Sequence, residues 1–583
     1  MPRLGRTVLA TVMVAGVLIA GAAAPAAAAT AAKTDHTSAQ ERKRVDSVPT
    51  PKLGWFNCYG IAQCATTWLP LDYDNPKGPK TEIALLRVKA KDQAHKIGSL
   101  FINPGGPGGS GVGIALYAPN FLSKSLLDRF DIVGVDPRGI ASSTNVKCFK
   151  TVKDQTAVLG NMNVAFPWGK AEEQKYVGAA KQFGKACSTT GKPLSGSMST
   201  AEVVRDMDVL RRAVGDKKLS YLGFSYGTAI GQYYANMFPD RFRAIVVDGV
   251  LDPEHWAGTK KTANQEQDER LRSADGAYRA LQEILKRCDA AGEKYCVFAA
   301  GNSVANFDTI AQKLRQKPLV ITDEFGTYTI TYADFVGAIL GDLYDVGAGD
   351  WVTQDSQFVW TLLTSTSQTA RAKAKAGLID RIKQARAKKP ARDFPYDNSF
   401  EAFTGVDCTD ALHPKDAGQW PALMAKADKR APYFGRAWGW STVPCARNTW
   451  TVRDEDAYTG PWNRKTAAPV LIVGTKWDPA TNYDDAVAAS KLLPNSRLLS
   501  NTNWGHTSYG TSDCATNAID NYLLKGTLPA KGTLCQGAYQ PFLEPLPEDP
   551  GVSASATPHA TAAQNHTAPV AGPPMPSTLN GTR

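Results

Sequence analysis

The sequence is poor in histidine, with seven in 583 residues. It contains no HExxH and no CxxC pair, which removes the usual zinc signatures and argues against a bound metal. No internal repeat is visible, so repeat architectures are excluded. Beyond Ala24 no apolar run of spanning length is free of charge, which excludes a polytopic membrane protein and points to a soluble mature chain. A concentrated charge of one sign is also lacking, because the formal +11 is spread along the chain. The basic clusters at 41–44 (ERKR) and 371–389 read as solvated faces, which speaks against nucleic-acid binding.

What is present begins with an export signal. MPRLGR precedes an apolar stretch from Thr7 to Ala24, and PAAAAT offers an A-x-A cleavage site near Ala29. That order is a secretory signal peptide over 1–29, so the mature chain is expected to be secreted, with no membrane contact after signal removal. Ten cysteines suit an oxidising, extracellular setting and leave no obligatory free thiol. They fall in sequence as five near pairs: Cys58 and Cys64, Cys148 and Cys187, Cys288 and Cys296, Cys408 and Cys445, Cys514 and Cys535. Nearest-neighbour pairing is the expectation, although spacing alone does not fix connectivity.

Residues 30–48 are polar and lack periodicity, and read as a disordered leader or a propeptide. Residues 541–583 are rich in Pro, Ala, Ser, Thr and Gly and read as a flexible tail. Between them, the apolar runs SLFIN (99–103), FDIVGVD (130–136), LSYLGF (219–224) and AIVVDGV (244–250) alternate with helical patterns. Such runs imply a parallel sheet buried on both faces. The helix before the third run has Ser199 and Thr200 as caps, Glu202 as an early acid, and an apolar stripe of Val203, Met207, Leu210 and Val214. After Asp252-Pro253 the strand signal vanishes until PVLIVGT (469–475) and SRLLS (496–500). The expected architecture is α/β: a mostly parallel sheet with helices on both faces, from 49–250 and 464–540, carrying an inserted, mainly helical cap over 251–463.

GFSYG (223–227) follows the third run and opens a helical pattern, the context of a G-x-S-x-G nucleophile elbow. Side chains two residues either side of the serine would collide in so tight a turn, and Gly223 and Gly227 remove them. Ser225 is thereby presented as a nucleophile, and the following helix aims its N-terminal amides at the site. A serine needs a base. His36, His559 and His566 lie in the terminal segments, and His95 and His413 have no suitable context. His255 follows the fourth strand and reads as a structural or substrate-side residue, whereas His506 lies in a Gly-containing loop just after the last strand. The orienting acid should end a strand between serine and histidine, and Asp478 in VGTKWDPATNY does so. Asp484 and Asp485 read better as first-turn acids of the next helix. The expected fold is therefore that of the α/β-hydrolases. An oxyanion hole is expected from the N–H of Tyr226 and, in the loop PGGPGGSG (104–111), from that of Gly106, since Pro104 and Pro107 have none to give.

The same loop holds GPGGSG (106–111), and Asp136 ends the next strand, which together imitate a dinucleotide fingerprint. A dinucleotide-binding oxidoreductase is thus the remote alternative. Pro107 stiffens the turn that would wrap a pyrophosphate, export removes the chain from the nicotinamide pool, and the serine, acid and histidine would be left unexplained.

NPGGPGGSG, FDIVGVDPRG, GFSYGT and GHTSYGTSDCATNAIDNYLLKGTLPAKGTLC together resemble the secreted tripeptidyl aminopeptidases of actinobacteria, relatives of the prolyl aminopeptidases. The likeness runs from about Leu53 to Cys535. It implies a serine exopeptidase that releases tripeptides from peptides with a free N-terminus, without cofactor, under a helical cap. Ser225, Asp478 and His506 carry over onto the family's triad. Prolyl aminopeptidases begin the oxyanion loop with HGGPG, whereas Pro104 stands here in place of the histidine, so tripeptide release is implied over single-proline release; another secreted α/β-hydrolase, a prolyl aminopeptidase or an esterase, is the alternative. Such an enzyme must hold an ammonium group away from bulk water, which calls for carboxylates near the serine. Asp252, Glu254, Glu266, Asp268 and Glu269 are the candidates, and Trp256, Tyr433, Phe434, Trp438 and Trp440 are aromatics that either line subsites or pack the cap.

Overall fold

The computed structural model describes residues 34–324, 326–387 and 396–546. The expected signal peptide at 1–29 and the expected tail from 547 onward lie outside the described residues. Twelve strands are present among the described residues: β1 Phe56–Cys58, β2 Ala62–Pro70, β3 Lys80–Val88, β4 Gly98–Asn103, β5 Phe130–Val135, β6 Leu219–Phe224, β7 Phe242–Asp248, β8 Leu319–Asp323, β9 Gly326–Ile330, β10 Val470–Trp477, β11 Ser496–Trp504 and β12 Leu534–Cys535. Ten of them make one sheet, ordered β1-β2-β3-β5-β4-β6-β7-β10-β11-β12. From β5 to β12 every pairing is parallel. Every residue of β5 and β6 is buried, as a sheet covered on both faces requires.

The first three strands pair antiparallel at one edge of the sheet. They gave no clear signal in the sequence because this edge is half solvated: Phe56, Tyr59, Ile61 and Trp68 are all exposed. The insertion between β7 and β10 is mainly helical, but strand structure does not vanish within it. β8 and β9 form an antiparallel hairpin whose residues alternate, with Val320 and Thr322 exposed and Leu319 and Ile321 buried. Two helices assigned to the core by sequence, Val152–Leu159 and Lys170–Cys187, also pack on inserted residues. Phe183 meets Phe400 at 5.2 Å and Trp450 at 6.1 Å, Tyr176 meets Trp440 at 5.4 Å, and Gln155 donates to Glu401 at 2.7 Å.

The segment expected as a disordered leader or a propeptide is, from residue 34, ordered against the rest of the chain. Ser38 caps the helix Ala39–Asp46, accepting from the Glu41 N–H at 3.1 Å. This helix lacks a long apolar stripe and docks by charge. Arg205 donates to Glu41 at 2.9 Å, to Glu202 at 2.6 Å and to Asp456 at 2.7 Å, and Arg44 donates to Glu41 at 2.8 Å. The helix Thr200–Ala213 consequently buries its charged face as well as its apolar stripe, an arrangement tolerable only because each buried charge is paired. At the other end, the expected tail begins later than residue 541, since the Leu546 N–H donates to the Lys294 carbonyl at 2.8 Å.

All ten cysteines are joined as nearest neighbours in the chain. Cys58 is bonded to Cys64, closing the turn between β1 and β2, and Cys148 is bonded to Cys187. Within the insertion Cys288 is bonded to Cys296 and Cys408 to Cys445, and near the end of the sheet Cys514 is bonded to Cys535. Among the described residues no helix is long and apolar enough to cross a membrane.

Candidate active site

Ser225 sits between β6 and the helix Gly227–Met237 with φ +56°, a left-handed backbone that side chains other than glycine rarely adopt. The turn is as tight as its glycines imply: a Cβ on Gly223 would lie 2.3 Å from the Gly227 carbonyl oxygen. The Ser225 N–H donates to the Asp248 carbonyl at 3.0 Å, which ties the elbow to the end of β7.

Asp478 follows β10 and is fully buried. One carboxylate oxygen accepts the N–H groups of Ala480 and Thr481, both at 2.8 Å, and the other accepts the Thr481 hydroxyl at 2.8 Å. His506 Nδ1 lies 2.8 Å from Asp478 Oδ2 and 3.0 Å from Oδ1. With Nδ1 donating to the carboxylate, the neutral ring presents the Nε2 lone pair. That nitrogen is buried and has no partner among the described residues, so the Ser225 to His506 hydrogen bond is not closed, as is common before substrate binds. The His506 N–H donates to the Tyr344 carbonyl at 3.0 Å, and the Tyr344 ring stands edge-on to the imidazole at 5.2 Å.

The oxyanion loop lies directly on the elbow. A Cβ on Gly105 would come within 2.7 Å of Ser225 Cβ, so only glycine permits the approach. The Gly105 N–H is spent on Asn103 Oδ1 at 2.9 Å, whereas Gly106 lines the same cleft as Ser225 and Tyr226 stands at the N-terminus of the following helix. This packing answers the dinucleotide reading. Asp136 is buried and accepts from Ser110 Oγ at 2.6 Å, from Val112 N–H at 2.9 Å and from Ser142 N–H at 2.8 Å, so it is not free to bind a ribose.

The cleft, about 540 Å³ counting the part open to solvent, reaches from Gly106, Pro107 and Ser225 to Glu266 and Asp268 in the insertion. Glu266 caps the helix Gln267–Leu271, accepting the Asp268 N–H at 2.8 Å. Asp268 pairs with Arg430 at 2.6 Å and accepts the Ala274 N–H at 3.0 Å. Burial pushes both carboxyls above the usual carboxylate range. Of the other candidate acids, Asp252 caps the helix Pro253–Ala257 and Glu269 pairs with Lys426; neither they nor Glu254 line the cleft. Trp256 and Trp438 line it, while Tyr433, Phe434 and Trp440 are buried in cap packing.

Three other histidines are committed elsewhere. His255 Nδ1 lies 3.0 Å from Asp485, a hydrogen bond that raises its pKa, and so gives Asp485 a partner beyond its first-turn position. His95 bonds Asp92 at 2.8 Å, and buried His413 is pushed well below the usual imidazole range by desolvation. Three acid-rich clusters have compact geometry, and each is already occupied by protein partners. Cys445 is in a disulfide, Glu202 and Asp456 face Arg205, and Asp252 and Asp485 serve a helix cap and His255.

Sequence reasoning missed three positioning residues. Thr481 braces Asp478 and is signalled only by its place three residues on, where an Asx-type turn closes. Asp248 accepts the N–H groups of Ser508 at 3.0 Å and Tyr509 at 2.8 Å, and burial raises its pKa to about 7. Its position at the end of an apolar strand, like that of Asp136, was the available signal. Tyr344 comes from the insertion and has no local signature.

A nucleophile elbow after a parallel strand, with a carboxylate and an imidazole after two later strands and a helical insertion above, makes this molecule an α/β-hydrolase. Residues 98–282 match the family model described as alpha/beta hydrolase fold, and 431–535 match that described as TAP-like protein. The chain is 30% identical over 493 residues to the tripeptidyl aminopeptidase of Streptomyces coelicolor, covering 81% of this chain and 83% of that one, and it belongs to the same family. It is also 30% identical over 515 residues to the serine protease Hip1 of Mycobacterium tuberculosis, covering 83% of this chain and 92% of the relative. Carboxylesterase B of the same organism is 29% identical over 506 residues, covering 84% and 91%.

Proposed function

We propose that the chain is an exported serine exopeptidase that releases tripeptides from the free N-termini of peptides. Ser225 Oγ attacks the scissile carbonyl and forms the C–O bond while His506 Nε2 takes its proton; Asp478 holds the ring and stabilises the imidazolium. The N–H groups of Gly106 and Tyr226 receive the developing oxyanion. The C–N bond then breaks, the imidazolium returns its proton to the leaving amine, and water attacks the acyl-enzyme by the same route to free the tripeptide. This sequence uses no metal and no organic cofactor.

The observation that carries the reading is that Ser225 shares one cleft with the buried carboxylates Glu266 and Asp268. A buried carboxylate near a reactive serine suits the ammonium ion of a free chain terminus. The signal sequence and the five disulfides support an extracellular location. The test is a pair of tripeptidyl amides, one with a free amine and one N-acetylated. The free substrate is expected to react at least about tenfold faster, the value of one charge-assisted contact. Equal rates would favour an esterase or an endopeptidase.

A further inference from the structure

Buried polar side chains are almost always hydrogen-bonded, and those that are not ask for an explanation. Three cleft-lining side chains carry a buried donor without a hydrogen-bond partner among the described residues: Tyr344 Oη, Trp438 Nε1 and Gln267 Nε2. Gln267 is drawn to the Asp407 carboxyl, whose pKa burial raises to about 7 against the lowering effect of the Gln267 amide. Tyr344 and Trp438 have no such neighbour. Their rings stack at 6.5 Å with 23° between planes, and both residues line the cleft. Tyr344 is also fixed relative to the reacting atoms, through its carbonyl to the His506 N–H at 3.0 Å and its ring edge at 5.2 Å from the imidazole.

We infer that Tyr344 is a specificity-determining residue, whose phenol donates a hydrogen bond to a main-chain carbonyl in the acyl part of the substrate, with the Trp438 indole N–H as a neighbouring second donor. The inference rests on the peptidase reading of this cleft. The geometry favours the acyl side because the two donors share a single space with the oxyanion loop and with the carboxylates that hold the amine. A peptide carbonyl is the fitting partner: it accepts without charge, and every residue of the substrate supplies one, so the contact reads chain position rather than side-chain identity. Burial, and secondarily the charge of Asp478, hold the phenol pKa well above its ordinary value, so it remains a donor at working pH.

The test is a two-by-two comparison of wild type and Tyr344→Phe on a free-amine tripeptidyl amide and on analogues in which one internal peptide bond is replaced by a trans-alkene. Wild type cleaving the unmodified amide establishes the underlying reading; a wild type that is labelled by a fluorophosphonate yet leaves this amide intact would overturn that reading and the inference with it. Given cleavage, one alkene position is expected to cost wild type about ten- to a hundredfold in kcat/KM, and Tyr344→Phe is expected to show a similar loss on the unmodified substrate. The two losses should not multiply, since both remove the same bond. Tyr344→Phe with wild-type kcat/KM, or losses that multiply at both positions, would overturn the assignment. Trp438→Phe, run on the same set, is expected to lose discrimination at the other alkene position or at the same one; a Trp438→Phe profile identical to wild type would remove the indole from the proposal.

Discussion

On the sheet side of the cleft nearly every polar group is committed. Asp478 accepts from Ala480, Thr481 and His506, and Asp248 holds the elbow by its carbonyl and the histidine loop by its carboxylate. On the cap side the pattern is reversed, with two aromatic donors left unpaired among the described residues and two carboxyls whose burial makes their charged forms costly. Save for the open Nε2 of His506, the first surface is set before substrate arrives. The second is completed by it. This difference divides the labour between chemistry, which needs fixed geometry, and recognition, which needs groups whose partners come from outside.

Three changes probe that division. Ser225→Ala is expected to lower kcat by about 10⁴-fold or more while leaving the folded chain and tripeptide binding intact. Turnover near wild type in a purified variant would remove the sheet side from the chemistry. Glu266→Gln should act on recognition alone. Its kcat/KM for free-amine substrates is expected to fall about ten- to a hundredfold, with N-acetylated substrates little changed. In wild type the ratio of free to blocked kcat/KM should decline as pH falls, because carboxyls raised by burial take up protons above the usual carboxylate range. Comparing the two substrates cancels any titration of the base, and the Glu266→Gln variant should show a flatter ratio. A decline of the same size in that variant would shift the ammonium site to other groups.

The smallest functional effect is expected from replacing Cys408 and Cys445 by alanine, which opens a bridge of sequence separation 37 in the cap. Stability should fall by about 3–4 kcal/mol on loop entropy. One continuous hydrophobic core joins sheet residues such as Ile245 and Ile472 to cap residues such as Leu340 and Trp440, so unfolding is expected to remain a single transition. A separate early transition assigned to the cap would show that the two sides of the cleft are also independent in stability.

How legible each side was follows from the same contrast. The loops that carry Ser225, Asp478 and His506 are short, follow strands and carry their signals locally: the glycines flanking Ser225, the apolar run PVLIVGT before Asp478, the glycine before His506. The cap surface is assembled from residues 256, 266, 268, 344 and 438, far apart in sequence, and five candidate acids in one stretch could not be ranked without their neighbours. The helix Ala39–Asp46 escaped for a third reason. It binds through ion pairs whose partners lie at 74, 205, 241 and 456, and a charged segment with remote partners looks like one with none.

The position of β10 in the sheet has a consequence for how the chain comes to life. It slots between β7 and β11, although the whole insertion must be made after β7 before β10 exists. A nascent chain therefore holds the open flank of β7 in waiting, an invitation to mispairing that a passing chaperone would shield. Until that gap is filled the loops that carry Asp478 and His506, which follow β10 and β11, cannot be placed beside Ser225.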